Sequence, residues 1–124
     1  MFHAVIHLDH HQAQVLHFDA HSVHTEKFES HRHVTRQHGS QVRDVHEFFA
    51  EVCAALEGTA EVLVTGPHTA LSDLRHYVEK HAPALAPHLV GFQPVDHLSP
   101  GQLLALAREF FGKHDRMAGV PTPN

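Results

Sequence analysis

The stretch Ala60-Glu61-Val62-Leu63-Val64-Thr65-Gly66-Pro67 decides the fold class. Residues 60–65 make a short apolar run of strand length, bounded by a Gly-Pro pair that punctuates it. Pro67 suits the first turn of a helix, where a missing N–H costs nothing. Leu71, Leu74 and Val78 then recur at helical spacing until Pro83 stops the segment. A buried strand feeding directly into a helix is the unit from which parallel sheets are built.

Reading outward, the same alternation continues. Residues 89–95 hold another strand, with Pro94 confining its later part to an edge or an end. Ser99 suits the N-cap of a last helix, Pro100 its first position, and Leu103, Leu106, Ala107, Phe110 and Phe111 its inner face. Upstream, Val45, Phe48, Phe49, Val52, Cys53 and Leu56 follow i, i+3, i+4, i+7 spacing and predict a helix over 44–57. Asp44 and Glu47 read as its capping box and Gly58 as its C-terminal stop.

The amino-terminal third is different. Residues 4–8 and 13–18 read as two strands joined by the polar turn Asp9-His10-His11-Gln12. A four-residue turn pairs Ile6 with Val15 and Val5 with Leu16. Both faces then carry apolar side chains, which requires cover on both sides. Residues 22–29 alternate weakly and read as an edge strand that could pair across a twofold, leaving monomer and homodimer both open. The order is β-β-β-α-β-α-β-α. It describes an α/β domain with a mixed sheet, an antiparallel meander followed by parallel strands, covered by three helices. The expected domain spans 1–114, with 115–124 a polar, flexible tail.

Composition narrows the class. The chain has 124 residues, 42% of them apolar, enough for one globular domain that buries roughly two thirds of its unfolded surface. No apolar run approaches the roughly 20 residues of a membrane helix, and the first residues lack the features of a signal peptide. Cys53 is the single cysteine, which excludes an internal disulfide and fits a reducing, cytoplasmic setting. A net charge of −5 argues against a protein built to wrap nucleic acid. The 17 histidines qualify that, because imidazoles gain charge over the mildly acidic range. Any affinity for RNA or another anion is expected to depend on pH.

Two stretches carry a family resemblance. Ala4-Val-Ile-His-Leu-Asp-His-His-Gln-Ala-Gln-Val-Leu-His-Phe18 resembles the first hairpin of short bacterial proteins called "translational machinery protein". Val62-Leu-Val-Thr-Gly-Pro67 and Val95-Asp-His-Leu-Ser-Pro-Gly-Gln-Leu103 resemble the rest, so the likeness runs from residue 4 to about residue 111. These proteins look like the third domain of the class 1 peptide-release factors of archaea and eukaryotes and of Pelota. That domain has the fold of the kink-turn-binding ribosomal proteins. The resemblance implies a binding module rather than an enzyme, touching ribosomal or translation-factor proteins or rRNA. The sequence has no Gly-Gly-Gln release motif, so peptidyl-tRNA hydrolysis is not implied.

Three clusters are candidates for function. His31, Arg32, His33, Arg36 and His38 form a basic segment suited to a protein or RNA contact. His31, His33 and His38 could also share a zinc, nickel or copper ion, although His-x-His-x4-His is not a structural zinc pattern. The plain alternative is a solvated basic loop, and no cofactor is required. Thr65, Gly66, His68 and Thr69 surround a helix start, with Asp96 and His97 ending the next parallel strand, an arrangement suited to an anion. It lacks the Gly-Lys-Ser/Thr element of a P-loop, and a simple helix cap explains it equally. Asp9 beside His10 and His11 offers an acid–base pair for a small hydrolase or nuclease, but turns favour Asp for backbone hydrogen bonds alone. His3 and His7 lie roughly 13 Å apart on one strand, too far to share an ion. Cys53, on an apolar stripe, reads as an inert core thiol. The alternatives to the binding module are therefore a metal-binding or pH-responsive protein and a small hydrolase.

Overall fold

The computed structural model describes residues 2–30 and 40–118. Its elements are β1 (His3–Leu8), β2 (Gln12–Phe18), β3 (Val23–Glu29), α1 (Ser40–Ala55), β4 (Glu61–Gly66), α2 (His68–His81), a 3-10 turn (Ala86–His88), β5 (Leu89–Pro94) and α3 (Pro100–Ala118). The five strands lie in the order β3-β2-β1-β4-β5. The β1–β2 and β2–β3 pairs are antiparallel, whereas β1–β4 and β4–β5 are parallel. The mixed α/β sheet and its three helices match the order read from the sequence. The hairpin register does too, with Val5 opposite Leu16 and Ile6 opposite Val15.

Strand alternation sorts the core into two layers. Ala4, Ile6, Leu8, Val62 and Val64 point to one face, where Phe48, Phe49 and Val52 of α1 and Leu56 just after it meet Leu71, Leu74 and Val78 of α2. Val5, Leu16, Phe18 and Leu63 point to the other, against Leu103, Ala107 and Phe111 of α3. A fully buried Leu or Phe contributes about 1.5–3 kcal/mol, so both layers are needed to stabilise so small a sheet. Since β1 and β4 are buried on both faces, they carry few polar side chains. Those they do carry (His3, His7, Glu61 and Thr65) all fall on the α3 side by parity.

The helix ends follow local chemistry, with two corrections. Ser99 and Gln102 cap α3 reciprocally: Gln102 N donates to Ser99 Oγ at 3.2 Å, and Ser99 N to Gln102 Oε1 at 3.0 Å. Gly58 takes φ +81° just past α1, as a helix stop requires. However, α1 starts at Ser40 rather than Asp44. Asp44 lies inside the helix and is 3% exposed, so it is not a solvent-facing cap. The apolar stripe begins only at Val45, and the preceding turn carries no periodic signal. Likewise α3 continues through Ala118, past the boundary expected at 114. Asp115, assigned to a tail by its polar surroundings, is completely buried. Among the described residues, no helix is long and apolar enough to cross a membrane.

Candidate functional site

The polar groups on the α3 face of the sheet gather at its two ends. At the carboxyl ends of the parallel strands, the Thr65 hydroxyl donates to Ile6 O at 2.9 Å. It therefore accepts from His7 Nδ1, also at 2.9 Å, which leaves Nε2 of His7 as the bare nitrogen. Burial lowers the His7 pKa, repulsion from His97 lowers it further, and Asp9 opposes both. The His7 and His97 rings sit 6.4 Å apart. Around them a small hollow is lined by Asp9, Gln14, Lys27 and Glu29.

The six residues read as an anion site do not share one setting. Thr65 is buried and its hydroxyl is committed to the sheet. Gly66, at φ +144°, serves a close backbone approach: a Cβ there would stand 2.1 Å from Leu8 O. Asp96 and His97 are exposed after β5. His68 and Thr69 are exposed in the first turn of α2, and His68 lines a separate hollow with Leu71, Ser72 and Arg75. There the Arg75 guanidinium lies 4.3 Å above the Phe92 ring.

Asp9 and His10 also part company. Asp9 Oδ1 accepts from His11 N at 2.7 Å and Gln12 N at 2.9 Å, an Asx turn that closes the hairpin. His10 Nε2 instead meets Asp73 Oδ2 of α2 at 2.7 Å. Cys53 is buried in the α1 stripe, and desolvation pushes its thiol up to about 11. His31, Arg32, His33, Arg36 and His38 lie outside the described residues. Their upstream flank is anchored where Ser30 N donates to His11 O at 2.8 Å, beside the same turn.

That turn opens onto a further concavity, which sequence reasoning missed. A groove of about 460 Å³ runs between α1 and α2, with Val45, Phe49 and Tyr77 as its apolar wall and His10, His46 and His81 around them. The Tyr77 and His81 rings are 4.8 Å apart, and His46 lies 5.6 Å from His81. Burial raises the Tyr77 pKa, with the neighbouring Cys53 thiol adding to the effect. The spacing of Tyr77 and His81 puts both on one helix face, but only the packing of two helices distant in sequence makes a groove of them. An aromatic wall rimmed by imidazoles and Lys80 suits an extended protein segment or a stacked base more than a buried small molecule.

At the opposite end of the sheet, His3 Nε2 lies 3.0 Å from both Glu61 Oε1 and Asp115 Oδ2. All three side chains are buried. Burial raises the Glu61 pKa, the Asp115 carboxyl raises it further by its hydrogen bond and its charge, and His3 opposes both.

No family model matches this sequence, and no curated protein matches it. Its fold does have solved counterparts. Pelota of Archaeoglobus fulgidus superposes over 94% of this chain, at a TM-score of 0.65 and 17% identity. The fold is shared with Pelota. The archaeal translation termination factor aRF1 covers the same 94% at a TM-score of 0.57 and 14% identity. This chain spans only 35% of Pelota's length and 39% of aRF1's. The resemblance to release factors and Pelota read from the sequence is thus present in the fold.

Proposed function

We propose that this chain is a non-catalytic, translation-associated binding module that contacts a translation-factor protein, a ribosomal protein or rRNA in the cytoplasm. The observation that carries this reading is the superposition of nearly the whole chain on parts of two translation factors. The groove between α1 and α2, next to the flank of the His/Arg segment, supplies a contact surface of fitting size and chemistry. Arg32 and Arg36 carry positive charge at any physiological pH, and His31, His33 and His38 add to it as pH falls. His68 and Thr69 in the first turn of α2 and, in a separate setting, Asp96 and His97 after β5 are exposed and provide secondary contacts. Of the residues read for a hydrolase (Asp9, His10 and the Thr65–Asp96 region), Asp9 closes a turn, His10 pairs with Asp73 and the Thr65 hydroxyl is committed to the sheet.

The test is co-sedimentation of the full chain with ribosomes from a cell extract through a sucrose gradient. It is run beside a variant carrying alanine at His31, His33 and His38, and another carrying Tyr77→Ala. The wild-type chain is expected to travel with ribosomal particles or with a translation factor. Both variants, checked for native circular dichroism, are expected to remain at the top. A folded wild-type chain that never leaves the top fractions in low or physiological salt overturns the proposal.

A further inference from the structure

The cluster of His3, Glu61 and Asp115 has a charge problem that hydrogen bonds alone do not solve. A single imidazole nitrogen carries at most one proton, yet His3 Nε2 lies 3.0 Å from two carboxylate oxygens. With both carboxylates ionised and His3 charged, the cluster would carry net negative charge in a site where none of the three is more than 9% exposed, so it needs either a proton held between Glu61 and Asp115 or a bound cation. The second oxygen of Asp115, Oδ1, is buried with no hydrogen-bond partner among the described residues. Buried carboxylate oxygens are costly to leave so. Aromatic rings close the site: Phe111 stands 4.3 Å and Phe18 5.8 Å from the His3 ring.

We propose that His3, Glu61 and Asp115 bind a divalent first-row transition cation, zinc by preference, with His114 as a fourth ligand. A neutral imidazole, two carboxylates and a doubly charged ion sum to zero. The ion takes the place of the proton that His3 would otherwise share, and its charge offsets the cost of burying the Asp115 carboxylate, whose Oδ1 has no hydrogen-bond partner among the described residues. One ligand atom from each of the three lies within 4.8 Å of the others. A tetrahedral ion with bonds of about 2.0–2.1 Å separates its ligand atoms by about 3.3 Å. The two spacings of 3.0 Å from His3 need to open only slightly to reach that value. His114, half-buried, reaches within 3.8 Å of Glu61 Oε2 and provides the way in from solvent. Imidazole and carboxylate donors together suit zinc and its neighbours rather than calcium or magnesium. The ligands come from the starts of β1 and β4 and the last turns of α3, so the ion would tie the carboxyl-terminal helix to the sheet. This proposal uses none of His31, His33 and His38 and is independent of the translation reading.

The experiment is a calorimetric titration of EDTA-stripped full-length chain with zinc chloride. Because a His-rich segment binds zinc by itself, the titration is repeated with alanine at His31, His33 and His38. One tight equivalent is expected to survive in that variant and to raise its melting temperature. Adding Asp115→Asn is expected to weaken that equivalent at least tenfold. Should Asp115→Asn fail to fold, cobalt provides the second measurement on the otherwise intact chain. Cobalt(II) in one equivalent is expected to shift the NMR signals of His3, Phe18 and Phe111. Loss of all tight binding in the triple variant, an unchanged affinity in a folded Asp115→Asn protein, or cobalt shifts confined to the groove histidines each overturns the proposal.

Discussion

Replacing Gly66 with alanine tests why a glycine ends β4. Two costs add there. At φ +144° an L-residue is held in a region that only glycine occupies readily, which costs about 1–3 kcal/mol. Besides this, the new Cβ would stand 2.1 Å from the carbonyl oxygen of Leu8, and that oxygen belongs to the backbone of the neighbouring strand. No rotamer relieves the overlap. The strands must separate by about 1 Å, with overpacking costs of about 1–3 kcal/mol. A loss of about 4 kcal/mol is expected, a large share of the ~5–15 kcal/mol that holds such a domain together. Two other glycines calibrate the measurement. Gly58, at φ +81°, has open space where its Cβ would go, so Gly58→Ala carries the backbone strain alone, about 1–2 kcal/mol. At Gly91 the nearest atom, 2.6 Å from the added carbon, is the tip of the half-buried Phe110 ring, which can turn aside. Urea unfolding followed by circular dichroism reads all three. With a slope of about 2 kcal/mol per molar, the Gly66→Ala midpoint should fall by about 2 M. A Gly66→Ala protein within 1 kcal/mol of Gly58→Ala would refute the argument from the close approach.

Other expectations follow from single side chains. Burial lowers the folded-state pKa of His7, so stability is present above the unfolded value near 6.5 and is lost as pH falls through the folded value. His7→Gln should flatten that acid limb in melts taken between pH 7 and 5, and an unchanged limb rejects the assignment. The Cys53 thiol, pushed up to about 11, should ignore a disulfide reagent at pH 8 until urea unfolds the chain. Rapid labelling of native protein would mean α1 does not bury it. His10→Ala removes an exposed pair with Asp73 and should change stability by only about 0–1 kcal/mol, whereas Leu74→Ala in the core should cost about 2–5 kcal/mol. Equal losses from the two would contradict the layering described. If the partner is rRNA, association should strengthen between pH 8 and 5.5 as imidazoles gain charge, and filter binding that is flat over this range argues for a protein partner.

What the chain's own pattern revealed was periodic structure. The pairing of Val5 with Leu16 followed from turn length and from strands apolar on both faces. The capped start of α3 followed from Ser99 and Pro100. The readings that failed lacked a periodic signal. The first turn of α1 has no apolar stripe to announce it. Asp115 follows Lys113 and His114 and reads as a polar end, because its partner lies 112 positions away on the first strand. Distance in sequence also hid the groove, which exists only where α1 and α2 pack side by side. In the Thr65–Gly66–His68 stretch the residue types were visible but not their orientations. Thr65 turns into the sheet while His68 faces solvent. The His/Arg segment was legible as composition, and it lies outside the described residues.

The central position of β1 bears on how the molecule comes into being. Its neighbour on one side, β2, leaves the ribosome almost at once, but its neighbour on the other side, β4, is some fifty residues behind. Throughout that interval the nascent hairpin presents a bare row of amides and carbonyls flanked by Ala4, Val5 and Ile6, the kind of edge that recruits other chains. Synthesis therefore leaves a window in which this protein depends on chaperones or on speed, and the window closes only when Glu61–Gly66 slides in beside it.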